Sequence, residues 1–306
     1  MVSKEKETQL YNQGYRLVGK HSAVKVCLWT KKSLRKEGHC YKENFYDTKS
    51  HRCVQMTPAL NTCAHRCLWC WRDIGFTNPR WVGKIDDPKF IVDECIKANI
   101  KYLQGFGGNK KTDWKKYKEI SKPQQFAISL SGEPTMYPKL PELILELRKQ
   151  AINQFLVTNG TNPLMLTKLL EKKAEPTQLY ITVPAPDKGT YIAVCKPLIK
   201  NGWKKILSSL SLLKKFKRNV MRLTLVKNIN MIYPEKYAAL VKKYQPQYIE
   251  CKGYMWVGYS RKRLDKENMA SHEEIKQFAQ KIADNSNYRI VDEKQESRVV
   301  LLKKPT

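Results

Sequence analysis

The middle of the chain alternates short apolar segments with amphipathic ones, and this alternation restricts the fold more than any other feature. Strands are predicted over residues 54–60, 125–130, 154–158, 178–183, 221–226 and 247–251. Helices are predicted over residues 140–150, 164–172, 202–215 and 234–244. Strands that alternate with helices pair in parallel through right-handed crossovers. The pattern therefore predicts an α/β fold, either an open partial (βα)6 barrel or a doubly wound sheet, with ligands at the carboxyl ends of the strands.

A polar loop after the first predicted strand carries Cys63, Cys67 and Cys70 in the spacing Cys-x3-Cys-x2-Cys. A structural zinc site closes its coordination with four protein ligands, whereas three thiolates on a four-iron (4Fe-4S) cluster leave one iron open to a small chelating molecule. The spacing therefore indicates such a cluster. A zinc site with Cys53 or His65 as the fourth ligand is the alternative.

Three further cysteines, Cys27, Cys40 and Cys53, precede this loop with twelve residues between successive members. They are a second candidate ligand set, although even spacing has no strict geometric meaning. The total of nine cysteines is odd, and the N-terminus has no apolar signal region, so we expect thiols in a reducing cytoplasm rather than disulfides. The remaining cysteines are isolated: Cys95, Cys195 and Cys251. They are assigned no function, because an isolated cysteine is usually a buried hydrophobe.

The charge of the chain indicates its partner. Lysine and arginine number 57 against 28 acidic residues, which gives a net charge of +29. Phosphates neutralised by lysine and arginine release counterions, and exposed aromatic rings hold unstacked bases, so RNA is favoured and a membrane surface comes second. No apolar run is long enough to span a bilayer. Any one basic cluster alone would be a solvated face. The clusters occupy residues 31–36, 110–116, 214–218 and 261–263.

The cysteine loop, with Trp69 before Cys70, resembles that of the radical S-adenosylmethionine (SAM) enzymes. The resemblance implies the open partial (βα)6 barrel and a cluster that binds SAM. At the end of the second predicted strand, Ser131-Gly132-Glu133 matches two of the three usual residues of the family's SAM-binding tripeptide. The resemblance implies that Glu133 binds the methionyl ammonium, while glycine allows close backbone approach.

A narrower resemblance covers nearly the whole chain. At the end of the third predicted strand, Thr158 and Asn159 match the place where radical SAM enzymes contact the ribose of SAM. Several phrases look like those of the archaeal tRNA 4-demethylwyosine synthases: Cys40-Tyr41-Lys42, His51-Arg52-Cys53, residues 128–134, Asn159-Gly160 and residues 254–260. One departure is the fourth strand, which continues as Thr182-Val183-Pro184-Ala185 where many relatives carry an aspartate.

That resemblance implies two 4Fe-4S clusters, one that binds SAM and one on Cys27, Cys40 and Cys53. It implies a reaction on the 1-methylguanosine beside the anticodon of phenylalanine tRNA, in which pyruvate supplies two carbons of 4-demethylwyosine. The flavin-binding domain of the eukaryotic relatives is absent, so we expect an external one-electron donor. We further expect a cytoplasmic monomer.

Pyruvate is expected either on the open iron of the second cluster or as a Schiff base on a lysine. Lys42 follows Cys40 by two residues and is the first candidate, because a lysine near a cationic or desolvated site can attack a ketone. Lys252 is the second candidate. Glu250 and Lys252 share one side of the sixth strand, while Cys251 lies on the other. As alternatives, Lys42 is a plain surface charge and the Glu250–Lys252 pair faces solvent.

Three segments are predicted within one compact unit. Residues 1–54 carry the second cluster, residues 55–255 form the radical SAM core, and residues 256–306 form a C-terminal extension. A zinc-dependent RNA-binding module is another interpretation, but it does not explain the Ser131-Gly132-Glu133 motif. A methylthio-transferring radical SAM enzyme would place its first cluster in a separate domain, for which the segment before Cys63 is too short.

Overall fold

The computed structural model describes residues 4–305. Helices α1 to α11 span Lys4–Asn12, Leu28–Leu34, Tyr41–Tyr46, Pro88–Gln104, Trp114–Tyr117, Leu140–Lys149, Pro163–Glu171, Lys188–Cys195, Gly202–Ser211, Pro234–Tyr244 and His272–Asp284. Strands β1 to β10 span Arg16–Val18, Ser22–Val24, Cys53–Thr57, Gln125–Ile128, Asn153–Thr158, Gln178–Val183, Asn219–Leu225, Tyr248–Gly253, Arg289–Lys294 and Val299–Lys303.

The predicted alternation is confirmed. The six predicted strands are present as β3 to β8, with at least one helix between each pair of neighbours in the chain. The bounds of β6 and α10 coincide with the predicted 178–183 and 234–244. Strand β3 ends at Thr57, three residues before the predicted end, because Pro58 has no N–H to donate to a strand ladder.

The first of two compact units contains residues 4–62 of the described chain, Arg80–Val157 and Glu171–Thr177. Strands β1, β2 and β3 pair antiparallel, whereas β3 with β4 and β4 with β5 pair in parallel. Helix α4 is the crossover between β3 and β4, and it packs on α6 and on the first three strands. It begins where the Asp87 carboxylate accepts the N–H of Lys89 at 2.9 Å. This unit therefore places the ends of two parallel strands, β3 and β4, side by side.

The second unit contains Cys63–Pro79, Thr158–Leu170 and the chain from Gln178. Strands β6, β7 and β8 pair in parallel, and β10 pairs antiparallel with both β8 and β9. Helix α11 begins with a capping box of Ser271 and Glu274 and packs on β8 and β10. The predicted C-terminal extension therefore continues the sheet of this unit.

The predicted division at residues 54 and 255 stays a prediction. Residues 1–3 and 306, which lie in the predicted terminal segments, are outside the described residues. The prediction that the N-terminus has no signal region rests in part on residues 1–3. Between residues 4 and 305, every helix is too short or too polar to cross a lipid bilayer.

A buried ion pair joins two strands of the second unit. Arg222 on β7 and Glu250 on β8 are register partners. The Arg222 Nε and Nη2 atoms donate to Glu250 Oε2 at 2.9 and 2.7 Å, and the Glu250 side chain is fully buried. The guanidinium also lies 4.7 Å from the ring centroid of Tyr180 on β6. The carboxylate of Glu250 is therefore compensated inside the protein and does not face solvent.

Replacing Arg222 by glutamine should destabilise the fold, because it leaves the buried Glu250 carboxylate without the guanidinium. We expect the free energy of unfolding to fall by roughly 3–5 kcal/mol. The matched control is Lys236→Gln, which removes a 2.9 Å exposed pair with Asp187 and should cost less than about 1 kcal/mol. Urea unfolding followed by circular dichroism measures both variants. Equal losses would contradict a structural role for the buried pair.

Candidate active site

The three N-terminal cysteines come together in one cavity of the first unit. Cys27 and Cys40 are the residues immediately before α2 and α3, and Cys53 is the first residue of β3. The cavity that they line is partly open to solvent, and Lys42 and Phe155 also line it. The chain therefore brings three thiols and one amine to the same place.

Ser50 holds this cavity in shape. Its hydroxyl accepts the backbone N–H of Cys40 at 2.9 Å and donates to Glu43 Oε2 at 2.5 Å. Its carbonyl accepts the hydroxyl of Thr30 on α2 at 2.9 Å. One serine thus links α2, α3 and the segment before β3. Nothing in the sequence singled it out.

The chemistry of the cavity suits an iron–sulfur cluster. Burial raises the pKa of Cys53 to about 12, and the thiols of Cys27 and Cys40 act in the same direction, while Lys42 opposes them. The Lys42 Nζ atom lies 4.9 Å from the ring centroid of Phe155. Thiolates are the ligands of iron–sulfur clusters, whereas hard cations prefer oxygen.

The Ser131-Gly132-Glu133 turn packs against the segment after β3. Gly132 has a φ of +65°, and a Cβ atom there would lie 1.7 Å from the carbonyl oxygen of Ala59. The backbone N–H of Glu133 donates to the Thr62 carbonyl at 2.7 Å. Only glycine combines this conformation with this approach.

The Glu133 side chain is buried, with 2% of its surface exposed. Its Oε1 atom accepts hydrogen bonds from the backbone N–H and the hydroxyl of Thr135 at 3.0 and 2.6 Å. This cap opens the short 3-10 helix Pro134–Met136. The carboxylate predicted to bind an ammonium is therefore oriented by its own turn.

The loop of Cys63, Cys67 and Cys70 lies in the second unit, where C-terminal residues hold it. The guanidinium of Arg263 donates to the carbonyls of Leu68, at 3.1 Å, and of Cys70. Trp69 packs against an apolar cluster of this unit. The loop thus depends on a residue almost two hundred positions away in the sequence.

Two polar groups approach the sulfur atoms of this loop. Asn159, after β5, donates from its Nδ2 atom to the Cys63 sulfur at 3.6 Å. The Asn159 Oδ1 atom accepts the N–H and the hydroxyl of Thr161 at 3.0 and 2.7 Å, which fixes the amide. Thr158 is buried, and its hydroxyl accepts the N–H of Gly160 at 3.1 Å. The end of β5 and the cysteine loop therefore share one site.

Cys195, the second group, lies beside Cys67. The ligand atoms of His65, Cys67 and Cys195 all lie within 4.8 Å of one another. A hydrogen bond with Cys195 raises the pKa of Cys67, and burial raises that of Cys70 to about 12. Burial lowers the pKa of His65 to about 4, so its ring is neutral at pH 7 and pairs with the Tyr191 hydroxyl at 2.8 Å.

The two predicted catalytic residues on β8 take part in contacts within the fold. Glu250 is paired with Arg222, as described above. The Lys252 Nζ atom donates to the Ser297 carbonyl at 2.7 Å. The alternative in which Glu250 and Lys252 form a solvent-facing pair is therefore wrong.

Comparison with known proteins identifies the family. Residues 57–241 match the radical SAM superfamily, and residues 243–304 match the family described as wyosine base formation. The chain is 47% identical over 304 residues to the S-adenosyl-L-methionine-dependent tRNA 4-demethylwyosine synthase of Pyrococcus horikoshii, which covers 98% of this chain and 89% of that protein. This chain belongs to the tRNA 4-demethylwyosine synthase family.

Other members of the family agree over the full length. The synthase of Methanocaldococcus jannaschii is 38% identical and covers 99% of this chain and 96% of its own. A solved structure described as TYW1 with a lysine-pyruvate adduct bound is 36% identical, with a TM-score of 0.89, and covers 99% of this chain and 97% of its own. Archaeal TYW1 is 33% identical, with a TM-score of 0.81.

Family membership confirms the predicted α/β fold of the radical SAM enzymes and makes this chain an enzyme. It also implies SAM and an iron–sulfur cluster. An iron–sulfur cluster is therefore favoured over zinc as the metal centre of this enzyme, and the ligands of that cluster stay a prediction. Cys53, one of the two possible fourth zinc ligands, lies instead with Cys27 and Cys40. The methylthio-transferring alternative does not agree with the names of the relatives.

Sequence reasoning missed two residues that contact the cysteine loop. Cys195 was assigned no function, and its position beside Cys67 became visible only through the fold. Arg263 was grouped with the surface charges, yet it binds loop carbonyls. The Arg-Lys-Arg run of residues 261–263 gave no local signal for that role.

Gly132→Ala should destabilise the protein, because the new Cβ atom would clash with the Ala59 carbonyl and force the turn away from β3. We expect the free energy of unfolding to fall by more than the roughly 1–3 kcal/mol that backbone strain alone would cost. Gly83→Ala is the control, since Gly83 also has a positive φ, of +98°, but has no atom within 4 Å of the Cβ position. Urea unfolding measures the difference. Equal losses would show that the close approach is unimportant.

Proposed function

We propose that this protein forms 4-demethylwyosine from pyruvate and the 1-methylguanosine beside the anticodon of phenylalanine tRNA, with SAM and two 4Fe-4S clusters. Its role as a tRNA-modifying enzyme of wyosine biosynthesis follows from its family. The proposal that pyruvate is the substrate rests on one cavity, which Lys42 lines together with Cys27, Cys40 and Cys53.

On the SAM side, Cys63, Cys67 and Cys70 would hold a cluster that, when bound, supplies the electron for reductive cleavage of SAM to a carbon radical. Glu133 would accept the methionyl ammonium of SAM in a charge-assisted hydrogen bond. Ser131 and Gly132 would allow the approach of that group. The oriented carboxylate of Glu133 supports this role, because a fixed acceptor loses little entropy on binding.

Thr158 and Asn159 would contact the ribose of SAM. The contact between the Asn159 amide and the Cys63 sulfur supports this placement, since SAM must lie at the same loop. Hydrogen bonds to ligand sulfurs also affect the reduction potential of such clusters. Asn159 would therefore contact both the SAM ribose and a sulfur ligand of the cluster.

On the pyruvate side, Cys27, Cys40 and Cys53 would hold the second cluster. The Lys42 amine would attack the keto carbon of pyruvate, and loss of one water would give an imine. A lysine in a desolvated site can act as such a nucleophile, and the contact with Phe155 supplies an apolar neighbour. An imine fixes the substrate in place, and fixed proximity is what addition of a radical requires.

Two observations favour Lys42 over Lys252. Lys42 lines the cavity of the three thiols, whereas the Lys252 amine donates to the Ser297 carbonyl. The TYW1 structure at 36% identity is described with a lysine-pyruvate adduct, which supports imine formation in this chain as well. A catalytic role for Glu250 stays a prediction. Its carboxylate accepts a hydrogen bond from Arg222. The external one-electron donor, the monomeric state and the cytoplasmic location also stay predictions.

Reconstituted protein incubated with SAM, reductant, pyruvate and methylated tRNA should yield the tricyclic base, detected by mass. The same protein should hold about two 4Fe-4S clusters per chain.

Replacing Cys63, Cys67 and Cys70 by alanine should abolish SAM cleavage and leave one cluster. Replacing Cys27, Cys40 and Cys53 should leave SAM cleavage and stop ring formation. If the variant without Cys27, Cys40 and Cys53 made as much tricyclic base as the parent, an active second cluster would be excluded.

Lys42→Arg should lose most product, because a guanidinium keeps the charge but does not readily form an imine. Borohydride added during turnover with labelled pyruvate should attach the label to a peptide that contains Lys42. Lys252→Arg is the matched control, which keeps a donor for the Ser297 carbonyl and should keep most product. Label on Lys252, or a near-parent rate for Lys42→Arg, would leave chelation of pyruvate by the second cluster as the mechanism.

A further inference from the structure

One basic surface of the first unit differs from the other basic clusters, because several chain segments build it. The end of α2 and the segment from residue 105 to α5 meet there. The backbone N–H of Asp113 donates to the Leu34 carbonyl at 2.7 Å, and the Lys116 amine donates to the Ser33 carbonyl at 3.2 Å. These contacts hold lysines from distant parts of the sequence on one face.

The charge of this face is strongly positive. Two acidic side chains, Glu37 and Asp113, lie among its basic ones, which are Lys32, Arg35, Lys36, Lys110, Lys111, Lys115 and Lys116. Glu37 is paired with Arg35 at 2.7 Å. The hydrogen bond from Arg35, with further attraction from Lys111 and Lys32, lowers the pKa of Glu37. The excess of cations is therefore available to an anionic partner.

A broad depression runs through this surface. It is lined by Arg35, Glu37, Gly105, Gly108, Asn109, Lys110 and Lys111. A Cβ atom at Gly105 or Gly108 would meet no atom within 4 Å, so the backbone there is open to a close approach. The Asn109 carboxamide accepts the N–H of Lys111 at 2.9 Å, which orders the turn that carries the lysines.

An exposed tryptophan stands next to these lysines. Trp114 has 56% of its surface exposed and follows Lys111 by three residues. The edge of its ring contacts Tyr117, with ring centroids 5.3 Å apart and an interplanar angle of 80°. The Tyr117 hydroxyl donates to the Gln104 carbonyl at 3.0 Å, so the support of the indole is itself fixed.

We infer that this lysine-rich surface, defined as Arg35, Lys36, Lys110, Lys111, Trp114 and Lys115, docks tRNA. Its lysines neutralise backbone phosphates, and the Trp114 ring stacks on one unstacked base of a single-stranded segment. The inference rests on the proposed function for the identity of the RNA. It adds a docking site in the first unit that is separate from the residues proposed to bind SAM and pyruvate.

The basic run of residues 261–263 is a weaker candidate for the same role. Arg263 binds carbonyls of the cysteine loop, Arg261 lies 4.3 Å from the ring centroid of Trp256, and Lys262 lies 5.0 Å from that of Tyr259. These cations already have partners within the chain. An acidic protein, such as the electron donor, would also bind a basic face, but it would not need an exposed stacking ring.

The test compares two triple variants with equal change of charge in the full-length, cluster-loaded protein. K110E/K111E/K115E alters the lysine-rich surface, and K214E/K215E/K217E alters a basic cluster of the second unit. We expect the first variant to bind methylated tRNA about tenfold or more weakly, with a log–log salt slope smaller by about two to three. The second variant should change affinity much less. Equal losses in both variants, or no loss in the first, would overturn the inference.

Trp114 is tested separately. Trp114→Ala should weaken tRNA binding about fivefold or more, whereas Trp114→Phe should retain most affinity because phenylalanine still stacks. Equal affinities for the three proteins would remove base stacking from the inference. If K110E/K111E/K115E binds tRNA normally but is reduced poorly by a protein donor while a chemical reductant works, the surface docks the donor instead.

Two controls separate this inference from the proposed function. SAM cleavage without tRNA, driven by a chemical reductant, should be the same in K214E/K215E/K217E and in the parent, which shows that charge reversal alone leaves the clusters in place. A parent protein that binds tRNA through the lysine-rich surface but yields no tricyclic base would refute the reaction and leave the docking site standing. A parent that makes the base while K110E/K111E/K115E binds tRNA normally would refute the docking site alone.

Discussion

The contact between the Ser131-Gly132-Glu133 turn and the segment after β3 is the constraint on which the position of Glu133 in the first unit depends. The parallel pairing of β3 with β4 brings both segments to one end of the sheet. The Thr57 hydroxyl then donates to the Ser131 carbonyl at 2.5 Å, and the absence of a side chain at Gly132 allows the final approach. Thr62, which accepts the N–H of Glu133, directly precedes Cys63 in the chain. The turn therefore fixes Thr62 within the first unit.

Periodicity predicted the parts of the fold in which each segment carries its own signal. Strand β6 and helix α10 have their predicted bounds, because an apolar strand and an amphipathic helix are both local patterns. The antiparallel pair of β9 and β10 was missed. Strand β9 alternates exposed with partly buried residues and belongs to the sheet only because β10 pairs with it. Such an assignment depends on the partner strand rather than on the segment itself.

The candidate site divides in the same way. Both candidate cysteine sets were visible in the sequence, the Cys63 set from its close spacing and the Cys27 set from family resemblance. The sequence ranked Lys42 before Lys252 only because Lys42 lies beside Cys40, and the surroundings of each amine were not visible. Ser297, which receives the amine of Lys252, lies 45 residues away, and Glu250 is compensated by an arginine 28 residues away on the next strand. Tertiary contacts of this kind leave no trace in the local sequence.

The raised pKa of Cys53 has a consequence for how the proposed second cluster would be acquired. With its pKa raised to about 12, Cys53, a proposed ligand, carries a proton throughout the neutral range in the cluster-free protein. Ligation requires the thiolate, so loading exchanges a proton for metal. Each proton so released makes the loading equilibrium about tenfold more favourable per pH unit. Acid thus competes with iron for the Cys53 sulfur, while the nearby Lys42 amine favours the thiolate that ligation needs.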